Sequence, residues 1–124
     1  MTTTLRPAEP LRRYDDGTRS CQYQVCVNGR PVGRLRLGTY RESGGTVAVI
    51  SELYIDEPER ERGRGTVAAL VAEEVARDWG CTWMAGRVPT DAEPARRLAA
   101  ALGYVEHDGD LRKPLSGPYL PAGT

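Results

Sequence analysis

Residues 51–66 read Ser51-Glu52-Leu53-Tyr54-Ile55-Asp56-Glu57-Pro58-Glu59-Arg60-Glu61-Arg62-Gly63-Arg64-Gly65-Thr66, and the fold is decided there. The stretch opens as a strand and stops at Pro58, which has no N–H to donate to a ladder. Gly63 and Gly65, one residue apart, then allow a tight turn whose N–H groups point inward. From Gly65 the pattern becomes helical as far as Trp79. Such a turn, feeding a helix N-terminus with its unpaired donors and partial positive charge, is an anion cradle. Arg60, Arg62 and Arg64 lie beside it, and a pyrophosphate is the natural occupant. The same residues also fit an arginine-rich surface turn ahead of an ordinary amphipathic helix. Two other nucleotide motifs are excluded: no lysine follows the glycines as GxxxxGK[ST] requires, and Val67 and Ala68 follow Gly65, which breaks GxGxxG.

Upstream, Thr46–Asp56 reads as one long strand. Val47, Ala48, Val49 and Ile50 are apolar at every position, so both faces should be covered. Period two then puts Glu52 and Tyr54 on one face. A hairpin precedes it. Cys21, Tyr23, Val25 and Val27 share a face of the strand Ser20–Val27, Asn28-Gly29 supplies the turn, and Gly33, Leu35 and Leu37 alternate with Arg34 and Arg36. Residues 1–19, polar and rich in Arg, Pro and Asp, read as loose, although Leu5 and Leu11 could anchor a short strand.

Downstream, the helix 65–79 has Val67, Leu70, Val71, Val75 and Trp79 as its expected buried stripe, with Glu73 and Arg77 paired on the outer face and Gly80 as C-terminal cap. A strand over 81–88 follows. Thr90-Asp91-Ala92-Glu93 resembles a capping box for a helix whose Ala95, Leu98, Ala99 and Leu102 face inward. Residues 104–115 form a hairpin around Asp108-Gly109, and 116–124 read as a mobile tail. Residues 1–115 thus make a single domain of α+β, or mixed α/β, class.

Composition narrows the function. The 124 residues suffice for one domain with a real core. The 17 basic and 17 acidic side chains balance, which argues against nucleic acid as the main partner. Cys21, Cys26 and Cys81 have no ligand spacing and His107 is the one histidine, so a metal site is not expected and the cysteines read as reduced thiols. Met1–Arg13 holds no apolar stretch and no run reaches membrane-spanning length, which points to a cytoplasmic protein without membrane contact.

The stretch from Ser51 to Gly65 resembles motif A of the GNAT N-acetyltransferase superfamily: an acidic–Leu–Tyr–β-branched strand, a Pro-Glu turn, and [Q/R]-x-x-G-x-[G/A], with Arg60, Gly63 and Gly65 at the defining positions. Ala95-Arg96-Arg97-Leu98-Ala99-Ala100-Ala101-Leu102-Gly103-Tyr104 is similar to its motif B. The resemblance spans about 20–115. It implies a central, mostly antiparallel sheet with a splayed strand pair and flanking helices. It implies that the backbone of Arg62, Gly63, Arg64, Gly65 and Thr66 holds the CoA pyrophosphate, with Arg60 and Glu61 also counted as cofactor-binding. Leu53, Tyr54 and Ile55 would pair with the pantetheine arm. The activity implied is acyl transfer from acetyl-CoA or another acyl-CoA to a primary amine of a small molecule or peptide.

Three features depart from the family pattern. Only about 7–19 is available where members usually have two helices, so that first helical pair is reduced or missing. Ala99 stands where many members carry the tyrosine that protonates the leaving thiolate, and Val67 replaces a commonly small residue. Glu52 is the expected general base, with an ion pair to a neighbouring arginine as the competing reading. Tyr104, Tyr54 or a water is the candidate acid, although Tyr104 also occupies a core aromatic position. His107 reads as solvent-facing and Cys81 as a small buried residue. A non-catalytic acyl-CoA-binding module and an accessory partner-binding protein fit the same departures, and a second copy could complete the cleft as a homodimer.

Overall fold

The computed structural model describes residues 2–87 and 91–115. Its strands are β1 (Thr3–Pro7), β2 (Arg12–Arg13), β3 (Arg19–Val27), β4 (Arg30–Glu42), β5 (Gly45–Ile55), β6 (Trp83–Gly86), β7 (Val105–His107) and β8 (Asp110–Pro114). The helices are α1 (Arg64–Asp78), between β5 and β6, and α2 (Glu93–Ala101), between β6 and β7. One sheet runs in the order β1-β3-β4-β5-β6-β8-β7, with β2 also paired to β3. Among the described residues only β5 and β6 pair in parallel. This is the mixed, mostly antiparallel architecture read from the sequence.

The hairpin turns form as expected. Asn28 and Gly29 have φ of 51° and 82°, and Asp108 and Gly109 have 49° and 87°. Both pairs have positive φ at both central positions, as type I′ turns require. The Thr90 part of the expected capping box lies outside the described residues, as do the tail 116–124 and the end of the strand expected to reach Val88. α2 begins at Glu93, with no side chain capping its first turn.

Two expectations fail. The N-terminal segment is not loose over Thr3–Pro7: β1 pairs with β3 at five positions, and Leu5 and Leu11 pack on the core. Its single apolar residue per turn of chain left no period to read, because an edge strand needs apolar groups on one side only. No helix forms among the described residues between β1 and β3.

The second concerns α1. Ala68, Ala72 and Ala76, four residues apart, are completely buried, whereas Val67 and Leu70 are 41% and 42% exposed. Alanines let the helix backbone lie close on the sheet, and the larger side chains turn to the flanks. Val75 and Trp79 do pack at the edge of the core. The same rotation takes Glu73 inward, to 1% exposure, rather than to the outer face. Its carboxylate is compensated: Lys113 Nζ lies 2.9 Å and Arg77 3.7 Å from Oε1, and the Tyr104 hydroxyl donates to Oε2 at 3.3 Å. Burying a carboxylate is costly unless it is paired in this way.

Candidate functional site

β5 changes character halfway along. In the β4–β5 register Leu37 faces Ile50 and Arg36 faces Glu52, which leaves Ser51 without a partner. This bulge inverts the alternation of side chains. Before it, Ala48 and Ile50 belong to the main core under α1, while Val47 and Val49 belong to a smaller cluster with Ala85, Trp83 and Tyr40. After it, Leu53 and Ile55 point to the main core, and Glu52 and Tyr54 to the opposite face. Without the extra residue, Glu52 would be driven into the core.

The bulge also marks the end of the described parallel pairing. Among the described residues β6 pairs with Val47 through Ile50 and ends at Gly86, while β5 runs on to Ile55 with β4 as its described neighbour. A cleft of about 540 Å³ opens there, floored by Ile50–Leu53 and walled by Gly65 and Ala69 of α1 and by Ala95, Leu98, Ala99 and Leu102 of α2. The inward face expected for α2 is thus the cleft wall.

At one end of the cleft lies the glycine turn. Gly63 is the N-cap of α1 with φ of 73°, a left-handed conformation that glycine adopts without strain. No other group lies within 4 Å of the position a Cβ would take, so its approach side is open. Gly65 and Thr66 lie in the first turn of the helix, where N–H groups have no helical acceptor one turn back. Gly65 is helical, not left-handed. A Cβ there would sit 3.8 Å from Leu98 and 3.9 Å from Ile55, in ordinary contact at the cleft wall.

The arginines of the turn divide by role. Arg60 Nε donates to the Ile55 carbonyl at 2.8 Å and its guanidinium lies 5.1 Å from the Tyr54 ring centroid, so it braces the turn against β5. Arg64 is 7% exposed, with Nη2 3.3 Å from Glu59. Arg62 and Glu61 are exposed, Glu61 with φ of 63°. Glu59 lies in the 3-10 turn Glu57–Glu59 and also receives Arg30 Nη2 at 3.2 Å. That hydrogen bond, with Arg64 alongside, holds the Glu59 carboxyl below the usual range. Sequence reading missed this clamp. Arg30 is distant along the chain, and Glu59 had no signal beyond its place in the motif.

Glu52 lines the cleft, 40% exposed, with Oε1 3.3 Å from Arg34 Nε and 3.5 Å from Gln22 Nε2. The ion pair considered for it therefore forms, and the carboxylate remains reachable from solvent. Tyr54 does not line the cleft: its ring is held between Arg34, at 4.3 Å, and Arg60. Tyr104 lines the cleft but gives its hydroxyl to Glu73, and burial, followed by the Glu73 charge, pushes that phenol well above its usual range. His107 is exposed on β7, and Cys81 is buried, its thiol pushed up by desolvation. Among the described residues no group of three or more His, Cys, Asp or Glu could hold a metal, and no helix is long and apolar enough to cross a membrane.

A family model described as "Acetyltransferase (GNAT) family" matches residues 2–104. The chain belongs to that family. No curated protein sequence matches it. Solved structures agree on the fold of this GNAT domain. A GNAT acetyltransferase candidate from Desulfovibrio desulfuricans superposes with a TM-score of 0.67 at 13% identity, over 78% of this chain and 69% of that one. A GNAT acetyltransferase from Elizabethkingia anophelis with acetyl-CoA bound gives 0.65 at 12%, over 77% and 76%. An N-acetyltransferase from Thermoplasma acidophilum in complex with coenzyme A gives 0.63 at 14%, over 77% and 60%.

Proposed function

We propose that this GNAT protein binds acetyl-CoA, or another acyl-CoA, in the cleft between β5 and β6 and transfers the acyl group to a primary amine. The observation that carries the reading is the cleft itself. It runs from the N-terminus of α1 along Ser51–Ile55, beyond the last described pairing with β6, to the Glu52 carboxylate. The N–H groups of Arg64, Gly65 and Thr66 face a pyrophosphate, with the exposed Arg62 beside them. The backbone at Leu53 and Ile55 accepts the pantetheine amides as a short added strand. Acyl-CoA supplies an activated thioester.

The protein's own part is positioning and proton transfer. Glu52 takes the proton that the ammonium must lose before its nitrogen lone pair can attack the thioester carbonyl. The C–N bond forms as the C–S bond breaks. The nitrogen releases a second proton and the thiolate gains one, through water. Ala99, on the cleft wall, leaves room for that water, and the Tyr104 hydroxyl is occupied by Glu73. This last point favours a second reading, a protein that binds acyl-CoA without turnover.

Glu52→Gln distinguishes the two. The variant keeps size and hydrogen bonding. It should bind CoA as the wild type does and lose roughly a hundredfold in turnover, the scale of a lost general base. Equal turnover of the two proteins removes Glu52 as base. Absence of wild-type turnover with intact CoA binding supports the non-catalytic reading.

A further inference from the structure

The face of the sheet away from α1 carries two polar rows that end at the cleft. Gln22, Arg36 and Glu52 stand directly opposite one another across β3, β4 and β5, and so do Arg6, Gln24, Arg34 and Tyr54 across β1, β3, β4 and β5. No described helix lies over them, because the chain between β1 and β3 is short and non-helical. The rows are tied laterally. Arg36 Nη2 donates to Gln22 Oε1 at 3.0 Å and Nη1 lies 3.1 Å from Glu9, and Arg6 donates to Gln24 at 2.7 Å.

Charge on this face is one-sided. The charged side chains linked through these rows are Arg6, Arg12, Arg34, Arg36 and Arg60 against Glu9 and Glu52. Glu9 is already shared by Arg12 and Arg36. A polyamine or a lysine-rich peptide would meet net positive charge here. The Glu52 carboxylate at the cleft is instead flanked by two half-exposed guanidinium groups, Arg36 opposite it and Arg34 one row along.

We propose that the acceptor is a small amine carrying a carboxylate close to its nitrogen, as in an α-amino acid. Its ammonium sits on Glu52 and its carboxylate on Arg34 and Arg36. An α-amino acid places the two charges a few bonds apart, matching a carboxylate and a guanidinium that already touch at 3.3 Å. A guanidinium presents paired donors that suit a carboxylate's two oxygens. This inference rests on the acyltransferase reading only for its chemical step, since the acceptor pocket exists whether or not transfer follows. The balance is that given above: one ammonium and one thioester yield one amide, one thiol and one proton.

The test uses the whole chain with acetyl-CoA and three acceptor sets: free amino acids, their C-terminal amides, and linear diamines. Thiol release reports turnover, and calorimetry on the CoA-saturated protein reports acceptor binding. Free amino acids should exceed their amides by at least about tenfold in kcat/KM, mainly through KM. Arg36→Gln should erase that preference while Arg36→Lys keeps part of it, and kcat should change little in both. Amides or diamines accepted as well as amino acids would overturn the proposal and leave the acyltransferase reading intact. Amino acids that bind the CoA-loaded protein without thiol release would support the acceptor pocket and sink the acyltransferase reading. No binding and no turnover of amino acids overturns the proposal.

Discussion

The two halves of β5 are one strand built under two different rules. From Val47 to Ile50 it has a hydrogen-bonded neighbour on each side and apolar cover on each face. From Glu52 to Ile55 it has, among the described residues, one neighbour, with one apolar face and one polar face. The division falls at Ser51, the unpartnered residue. The first half holds the domain together and fixes where the second half lies. The second half turns one face to polar side chains, and in the proposed function that half is what the ligand uses. A bulge of one residue performs the change without interrupting the chain.

The contrast is sharpest under a buried charge. Val47, on β5, is fully buried in the cluster with Ala85, Trp83 and Tyr40, so Val47→Asp strands a carboxylate with no partner and should cost about 3–5 kcal/mol, enough to unfold most of a marginal domain. Tyr54→Ala, seven residues further on but on the exposed face, should cost within about 1 kcal/mol. Urea denaturation of both variants measures the difference. Similar losses would mean that the two halves are not distinct in stability.

A second variant reverses the pattern. Gly63→Val places a β-branched residue at a φ of 73°. It should cost roughly 1–3 kcal/mol in stability through strain. CoA affinity should fall about a hundredfold, the loss of two hydrogen bonds to a charged group at about 1.5 kcal/mol each. Calorimetry alongside thermal melts separates these effects. Unchanged affinity in a folded variant would move the anion site elsewhere.

Much of this division could be read from the sequence. The apolar run 47–50 and the alternation after it were both visible, as were the glycine turn and the inward face of α2. What could not be read has a common cause. The bulge at Ser51 is a matter of register, and a single strand does not state its partner's count. The stripe of α1 was misassigned because hydrophobicity favours Val67 and Leu70, whereas closeness to the sheet favours Ala68, Ala72 and Ala76. Glu73 looked like half of a surface pair because Lys113 and Tyr104, its other partners, lie at least 31 residues away in sequence. Leu5 and Leu11 hinted at a strand, but the loose reading was preferred because the stability of β1 lies in a ladder to β3 and not in its own side chains.

The covered face of the sheet should also show in alkaline solution, with a smaller effect. Burial, with the neighbouring Cys21 a lesser cause, pushes the Tyr23 phenol up to about 12, and Tyr104 is raised further by burial and by Glu73. Above about pH 10 the unfolded chain releases phenolic protons that the folded chain retains. Stability is therefore full below pH 10 and falls as pH rises through about 12. Tyr23→Phe should make that fall shallower in melts between about pH 9 and about pH 11, roughly one unit either side of the ordinary value. A slope identical to the wild type would show that Tyr23 carries none of it.

The most direct test of the central claim, that the second half of β5 and the start of α1 form an acyl-CoA site, is a calorimetric titration of the wild-type chain with acetyl-CoA and with desulfo-CoA. Both ligands carry the pyrophosphate and the pantetheine amides, so both should bind at one site per chain and raise the melting temperature, as any ligand of the folded state does. No heat and no thermal shift with either ligand would contradict the claim.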